Sequence, residues 1–519
     1  MAPAAAQKSV GFVGRDVDQN PVFERSRNVR QVRTRPRVFD ACVKQTRHPH
    51  KDGRFVAGLQ SPRCRPNEAG NGAQRSIRYT PAMQSGKRFA AGFAALTGLF
   101  GAVAIPCAVA DEPAAETPAL ASAPQDTSPV SVPEPSEKAL RYHRGNTAIW
   151  ATEQILSLVL PLALLLTGFS AWLRTFASRI GGGRFYPTLA IYFVLLSLVI
   201  FVVELPMSYY VGFLREHVYG LSTQRFAKWT GDQAKGFAVG MVVGLLVLWV
   251  PYWLLAKSPQ HWWLWTSLLA LPFYLLTLLV APLWIAPLFN KFGPMKDKAL
   301  EAEILMVAKR AGVEGARVFE VDKSVDTAKV NAYVTGVGGS KRIVLWDTLM
   351  KRLSPEQTKY VVGHELGHYV LGHVWTSVIF STVLTFLGLF GAHRLSRFFF
   401  AHLGERIGFH QLSDIASLPL LMFMLTLFSL VITPAALAFS RYHEREADRF
   451  GLDLTHDNHA AATAFVALAK QNLAVPRPGL LDKIFRASHP PIGERVDFIN
   501  SYRPWEHGAP GNYDSLIRR

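Results

Sequence analysis

Two histidines, His364 and His368, bracket Glu365 in the run HELGH. On a helix, residues i and i+4 project from one face a turn apart. Two imidazoles so placed can bind one Zn²⁺ at about 2.0–2.1 Å. A carboxylate at the intervening position can take a proton from the water that such an ion activates. The chemistry this spacing can do is metal-assisted hydrolysis. By itself an HExxH run also suits an ordinary structural helix. Gly363 and Gly367 beside the histidines argue for more, because glycine is a poor helix former and its presence implies that another segment approaches closely.

A third ligand has to come from elsewhere. His373 lies five residues past His368, on another side of a continuous helix. The pattern that would place a histidine at +6 and a glycine at +3 meets Val374 and Leu371 instead. His373 therefore reads as a helix-end or interfacial histidine. The run SRYHEREADRFGLDL, Ser440 to Leu454, is the better source, because it spaces Glu444 and Asp448 at i and i+4. Glu444 can complete a His₂Glu set and Asp448 can accept the ring N–H of a ligating histidine, with Glu446 the competing carboxylate. All three cysteines, Cys42, Cys64 and Cys107, precede Ala110. Beyond that point only His and carboxylate ligands are on offer, and disulfides cannot hold the chain together.

The elements that would position these groups are legible as apolar blocks. Six long segments, approximately 148–173, 187–213, 237–256, 262–288, 374–392 and 418–439, can each cross a hydrocarbon core of roughly 30 Å. Trp150, Trp172, Trp262, Trp263 and Trp265 fall near their ends, where amphipathic rings prefer the interface. Glu153 and Glu204, inside spans, would face a polar interior rather than lipid. The last two spans form an out-and-back pair, which returns Ser440–Leu454 to the face where HELGH leaves. Before HELGH, Ser354-Pro355-Glu356-Gln357 carries the signature of a helix start: Ser at N-cap, Pro at N1 and Gln at N3. Arg317–Val321 and Lys329–Trp346 look β-rich, with Gly338-Gly339 as the turn.

Around this frame the chain divides by composition. Of the formal charge of +18, residues 1–82 hold more than half, with 16 Lys or Arg against six Asp or Glu. That stretch is expected to be disordered or to lie upstream of the true start; it lacks the aromatic pattern of a nucleic-acid module, and no nucleic-acid partner is expected. Residues 83–110 have the form of a secretory leader or a short first membrane segment, with Lys87 and Arg88, an apolar run and Ala-Val-Ala ending at Ala110. Residues 111–147 read as a Pro/Ala-rich linker. Four spans then occupy 148–289. A catalytic block with HELGH follows at 290–373, a membrane hairpin at 374–439, and a second catalytic block with the third ligand at 440–519.

Across most of 148–500 the sequence resembles the type I CAAX prenyl endopeptidase family of membrane zinc proteases. The matching runs are LPMSYY (205–210), REHVYGLS (215–222), IAPLFNKFGPM (285–295), NAYVTG (331–336), HELGH, SRYHEREAD and SHPPIGERV (488–496). The resemblance implies a mainly α fold: a polytopic helical bundle enclosing a chamber, with a small α+β catalytic domain of the HExxH, gluzincin-like type. It implies one Zn²⁺ per chain, held by His364, His368 and Glu444, with a peptide or protein as substrate and the lipid bilayer as surroundings. Asn331 and Ala332 would belong to an edge strand that holds substrate extended by main-chain pairing. His489 and Arg495 would sit near the substrate oxyanion, where imidazole and guanidinium stabilise developing charge. The chain departs from the family in its span count, six plus segment 88–109 against seven in eukaryotic members. It departs again at Tyr219-Gly220-Leu221-Ser222, which matches only loosely the loop reading HGF-N, so prenyl-cysteine recognition is not implied.

The expected function is membrane-embedded zinc endopeptidase activity of the CAAX-processing kind. A quality-control protease without prenyl specificity stands beside it, and a catalytically silent scaffold is opposed by the intact HELGH, Glu444 and Asp448. The leader-like segment suggests a bacterial inner-membrane protein. Charges flanking 88–109 place the catalytic blocks outside after six crossings, whereas the family resemblance places them in the cytoplasm. The sequence assigns no oligomeric state.

Overall fold

The structure, a computed structural model, describes residues 128–336 and 341–518. The basic extension 1–82, the leader-like segment 83–110, the first part of the linker, all three cysteines and the Gly338-Gly339 turn lie outside the described residues.

Helix α1 (Glu137–Leu166) begins where the Ser136 hydroxyl accepts from the Ala139 N–H. The linker expected to run to 147 thus gives way to helix eleven residues earlier, after Ser136. The first apolar block, expected unbroken over 148–173, ends at Leu166. Gly168 takes a left-handed φ of 71°, a conformation that glycine adopts without steric cost. The chain restarts there as α2 (Phe169–Ile180), which packs on α3 (Phe185–Tyr209). After Pro206, α3 loosens into a π turn at Tyr210–Leu214 and continues as helix to Val218. Helices α4 (Phe226–Val247) and α5 (Trp249–Lys257) make one crossing, and α6 (Trp262–Val280) makes the next.

The first catalytic block holds β1 (Phe292–Pro294), α7 (Lys298–Arg310), β2 (Arg317–Val321), β3 (Ala332–Thr335), β4 (Arg342–Trp346) and α8 (Pro355–Val370). Its four strands run in the order β1-β2-β4-β3, with β2 and β4 parallel and the other pairs antiparallel. Strand β3 is therefore an edge, paired only to β4 from Ala332↔Leu345 to Thr335↔Arg342. The reciprocal cap expected before HELGH is present: Gln357 N–H donates to Ser354 Oγ at 3.2 Å and Ser354 N–H to Gln357 Oε1 at 3.0 Å.

Helix α9 (His373–Ile407) leads away, and α10 (Leu418–Thr455) returns as 38 continuous residues. Among the described residues six helices, α9 and α10 included, are long and apolar enough to cross a membrane. The last turns of α10 enter the catalytic core, where Phe450 and Leu454 pack with Ile304, Ile343, Leu345, Val362 and Leu366. Helices α11 (Asn458–Gln471) and α12 (Ile492–Ser501) close the block. Loop 219–223 ties the spans to the approach of β3: Thr327 Oγ1 donates to the Leu221 carbonyl, and Lys329 pairs with Glu216 at 2.7 Å.

Candidate metal centre

Helices α8 and α10 cross closely because neither carries a side chain at the tightest points. A Cβ on Gly367 would stand 3.1 Å from both Ala447 Cα and Phe450 Cβ, and one on Gly451 3.1 Å from the His364 nitrogen. Gly363, singled out with Gly367 in the sequence, has more room, with its nearest atom at 3.5 Å.

That crossing brings His364, His368 and Glu444 together. The two Nε2 atoms stand 3.2 Å apart, and each lies 3.4 Å from one Glu444 oxygen. One ligand atom from each residue falls within 4.8 Å of the others. A tetrahedral ion with bonds of about 2.0–2.1 Å holds its ligands about 3.3–3.4 Å apart, so these separations fit zinc. Glu444 is almost wholly buried, and its Oε2 has no hydrogen-bond partner among the described residues. The His364 ring at 3.4 Å and the Arg495 guanidinium at 3.6 Å are its nearest cationic groups, neither making a hydrogen bond to it, so an ion between the ligands would answer its charge more closely. The two-nitrogen, one-oxygen set leaves room for a further ligand, as in catalytic zinc sites.

Behind the histidines the partners differ. His364 Nδ1 faces Asp448 Oδ1 at 2.9 Å. Asp448 is held in turn by Tyr360 Oη–H at 3.2 Å and by Arg495, whose Nε donates to Oδ2 at 2.8 Å and Nη2 to Oδ1 at 2.5 Å. Burial opposes charge on His364, but hydrogen bonds and Coulomb attraction from Asp448 and Glu444 outweigh it and push its pKa up to about 10. That is the electrostatic pull of a pocket arranged for positive charge. Glu365 lies beside the pair, half-buried; burial raises its carboxyl pKa, and the neighbouring histidines oppose the rise.

The remaining sequence-chosen residues fall at different distances from this centre. His489 Nε2 lies 3.3 Å from Glu444 Oε1, on the open side. Arg495 is buried, gripping Asp448 with its guanidinium 4.0 Å over the Phe465 ring, and its Nη2 is 3.6 Å from Glu444. Asn331 stands just before edge strand β3, with its own side chain accepting from the Ala332 N–H. Glu446, the competing carboxylate, turns away and accepts from Tyr513 Oη–H at 2.7 Å. His373 is a helix-end histidine and not a ligand, as expected, but its contact with His368 was missed. The helix breaks at Gly372, whose φ is 69°, and His373 opens α9 with its Nδ1 2.9 Å from His368 Nδ1. A count along one uninterrupted helix puts it on the wrong face; the glycine just before it was the available signal.

Fold and site define an integral-membrane metalloendopeptidase. Residues 294–503 match peptidase family M48, and residues 119–291 match the CAAX prenyl protease N-terminal region of five membrane helices. The metalloprotease YhfN of Bacillus subtilis, itself uncharacterised, is 36% identical over 396 residues, spanning 75% of this chain and 90% of that protein. CAAX prenyl protease 1 of Saccharomyces cerevisiae is 30% identical over 327 residues, 59% of this chain and 70% of the yeast protein. The crystal structure of S. mikatae Ste24p superposes with a TM-score of 0.60 at 25% identity, covering 69% of this chain and 86% of that one. The chain belongs to peptidase family M48, and its bacterial relative agrees with the bacterial setting expected from sequence.

Proposed function

We propose that this protein hydrolyses peptide bonds with one zinc ion per chain, held by His364, His368 and Glu444. The observation that carries the reading is the convergence of their three ligand atoms in a buried pocket, around a carboxylate oxygen with no hydrogen-bond partner among the described residues. Zinc bound there lowers the pKa of water and polarises a scissile carbonyl. Glu365 takes the proton from the attacking water and gives it to the leaving amine as the C–N bond breaks. His489, on the open side, donates to the carbonyl oxygen as charge builds. Asp448 accepts from His364 and holds its ring in place, and Arg495 fixes Asp448 while adding positive charge behind the site. An extended substrate pairs with the free edge of β3, guided by Asn331 and Ala332.

The substrate is a peptide segment admitted to a chamber between the helices. The names of the eukaryotic relatives point to prenylated carboxy-terminal sequences. Metal analysis of the purified protein should return one zinc per chain. Glu365→Gln should keep that zinc and lose peptide cleavage by at least about a hundredfold, the scale on which a general base contributes. Cleavage that persists in the Gln variant would sink the mechanism. Matched farnesylated and unmodified peptides then show whether the isoprenoid is read.

A further inference from the structure

The two histidines of HELGH are supported unequally. His364 leans on the carboxylate of Asp448, whereas His368 leans on another imidazole, His373. A neutral imidazole has one N–H and one lone pair. His368 Nε2 converges with His364 Nε2 and Glu444 on the place proposed for the ion, so with the ion held there the lone pair belongs on Nε2 and the hydrogen on Nδ1. That hydrogen points at His373 Nδ1, 2.9 Å away, which must then present its own lone pair.

The surroundings hold His373 in the matching state and orientation. Its ring stacks on His443 with centroids 4.1 Å apart and planes 6° from parallel. His443 Nε2 meets Thr376 Oγ at 3.2 Å, and Thr376 donates to the His373 carbonyl at 3.1 Å. The opposite nitrogen of His373 faces Glu446 Oε2 at 3.7 Å, and Glu446 is pinned by Tyr513. Nε2 makes no hydrogen bond among the described residues, but the carboxylate's negative field at that distance favours the hydrogen on Nε2, which leaves Nδ1 free to accept. Gly372, with its φ of 69°, makes the reversal that delivers His373 to this spot, because a continuous helix would carry it away.

We infer that His373 is a positioning residue for the metal centre, accepting the Nδ1–H of His368 and so fixing the tautomer and ring plane in which His368 Nε2 is presented, beside Glu444, to the ion. The inference rests on the metallopeptidase reading above and deepens it. A neutral acceptor orients His368 without adding a negative charge beside the ion. With Asp448 already matched by Arg495, the ion's charge is offset mainly by Glu444 and stays available to polarise a carbonyl.

The test uses the full-length protein with three residues at this position: the native His, His373→Phe, which keeps a ring and removes the acceptor, and His373→Asn, whose Oδ1 stands near the place of Nδ1. Zinc affinity is read by competition with a chromophoric chelator, and ligand geometry by the visible spectrum of the cobalt-substituted protein. His373→Phe should weaken zinc binding by roughly ten- to a hundredfold, the usual loss for a partner behind a metal ligand, and alter the cobalt bands. His373→Asn should restore both. Thermal unfolding of the metal-free forms separates positioning from packing, and the Phe variant should unfold with the native protein. Native zinc affinity in His373→Phe would overturn the inference, as would an Asn variant as weak as Phe, or a loss that follows metal-free stability. A native protein that takes up no zinc would instead overturn the metallopeptidase reading and this inference with it.

Discussion

Asp448 has three partners on its two buried oxygens: the His364 ring, the Tyr360 hydroxyl and the Arg495 guanidinium. Removing one member of a buried, hydrogen-bonded charge pair leaves the other uncompensated and costs about 3–5 kcal/mol. Arg495→Met is therefore expected to destabilise the protein by that amount. The deficit should shrink when zinc is bound, because the ion re-orders His364 and its partner. Denaturant unfolding in detergent, with and without metal, reads both numbers. An Arg495→Met protein as stable as the native one would show that the guanidinium does not hold Asp448. Asp448→Asn keeps the shape and removes the charge. It should weaken zinc binding by roughly ten- to a hundredfold, as measured by chelator competition.

At the level of elements, the site depends on how near α8 and α10 come. Gly367→Ala places a methyl 3.1 Å from Ala447 Cα, a backbone atom that cannot rotate aside. The helices must part, at about 1–3 kcal/mol for overpacking, and Glu444 moves off the histidines with them. Gly363→Ala meets its nearest neighbour, a Thr455 methyl, at an ordinary 3.5 Å and gains helix propensity of roughly 1 kcal/mol. Unfolding midpoints and zinc competition should therefore separate the pair: loss of both stability and affinity for Gly367→Ala, neither for Gly363→Ala. Equal behaviour would discount the close crossing as the feature that builds the site.

The same scale shows what was legible in the sequence. Periodicity and capping gave α8 its start at Pro355, the hydropathy blocks gave six spans, and the return of the last span placed Glu444 and Asp448 opposite HELGH. What sequence left hidden were reversals at single glycines. Gly168 divides the first apolar block, and Gly372 swings His373 behind His368. Both glycines sit inside runs whose neighbours read as continuous helix, and apolar periodicity carries no information about the sign of φ. Arg495 was named in the sequence through the resemblance, but its grip on Asp448 was hidden for another reason: it joins residues far apart in sequence, which local spacing cannot report.

For the molecule from Ser128 onward, the six crossings among the described residues, an even number, fix relations that the loop charges leave open. The first described residues meet the end of the chain directly, Val130 N–H donating to Asn500 Oδ1 at 3.1 Å and Asn500 Nδ2 to the Val130 carbonyl at 2.9 Å. Both therefore lie on one membrane face, together with the metal centre. Glu444 is roughly 39 Å along α10 from Leu418, at about 1.5 Å per residue, which is beyond the far edge of a hydrocarbon core of about 30 Å entered at Leu418. The turn between α5 and α6, including Gln260, belongs to the opposite face. With Cys42, Cys64 and Cys107 replaced by serine, single cysteines can be placed at exposed Glu134, Ser515 and Gln260. In sealed vesicles of one orientation, an impermeant maleimide should label the Glu134→Cys and Ser515→Cys proteins alike and spare Gln260→Cys, with the reverse pattern in inverted vesicles. Labelling of Gln260→Cys together with Ser515→Cys would mean an even number of crossings between them, in place of the three that α6, α9 and α10 make, and would count against the hairpin that returns Glu444 to the histidines. The vesicle orientation that exposes Ser515 also names the compartment from which a peptide reaches the zinc.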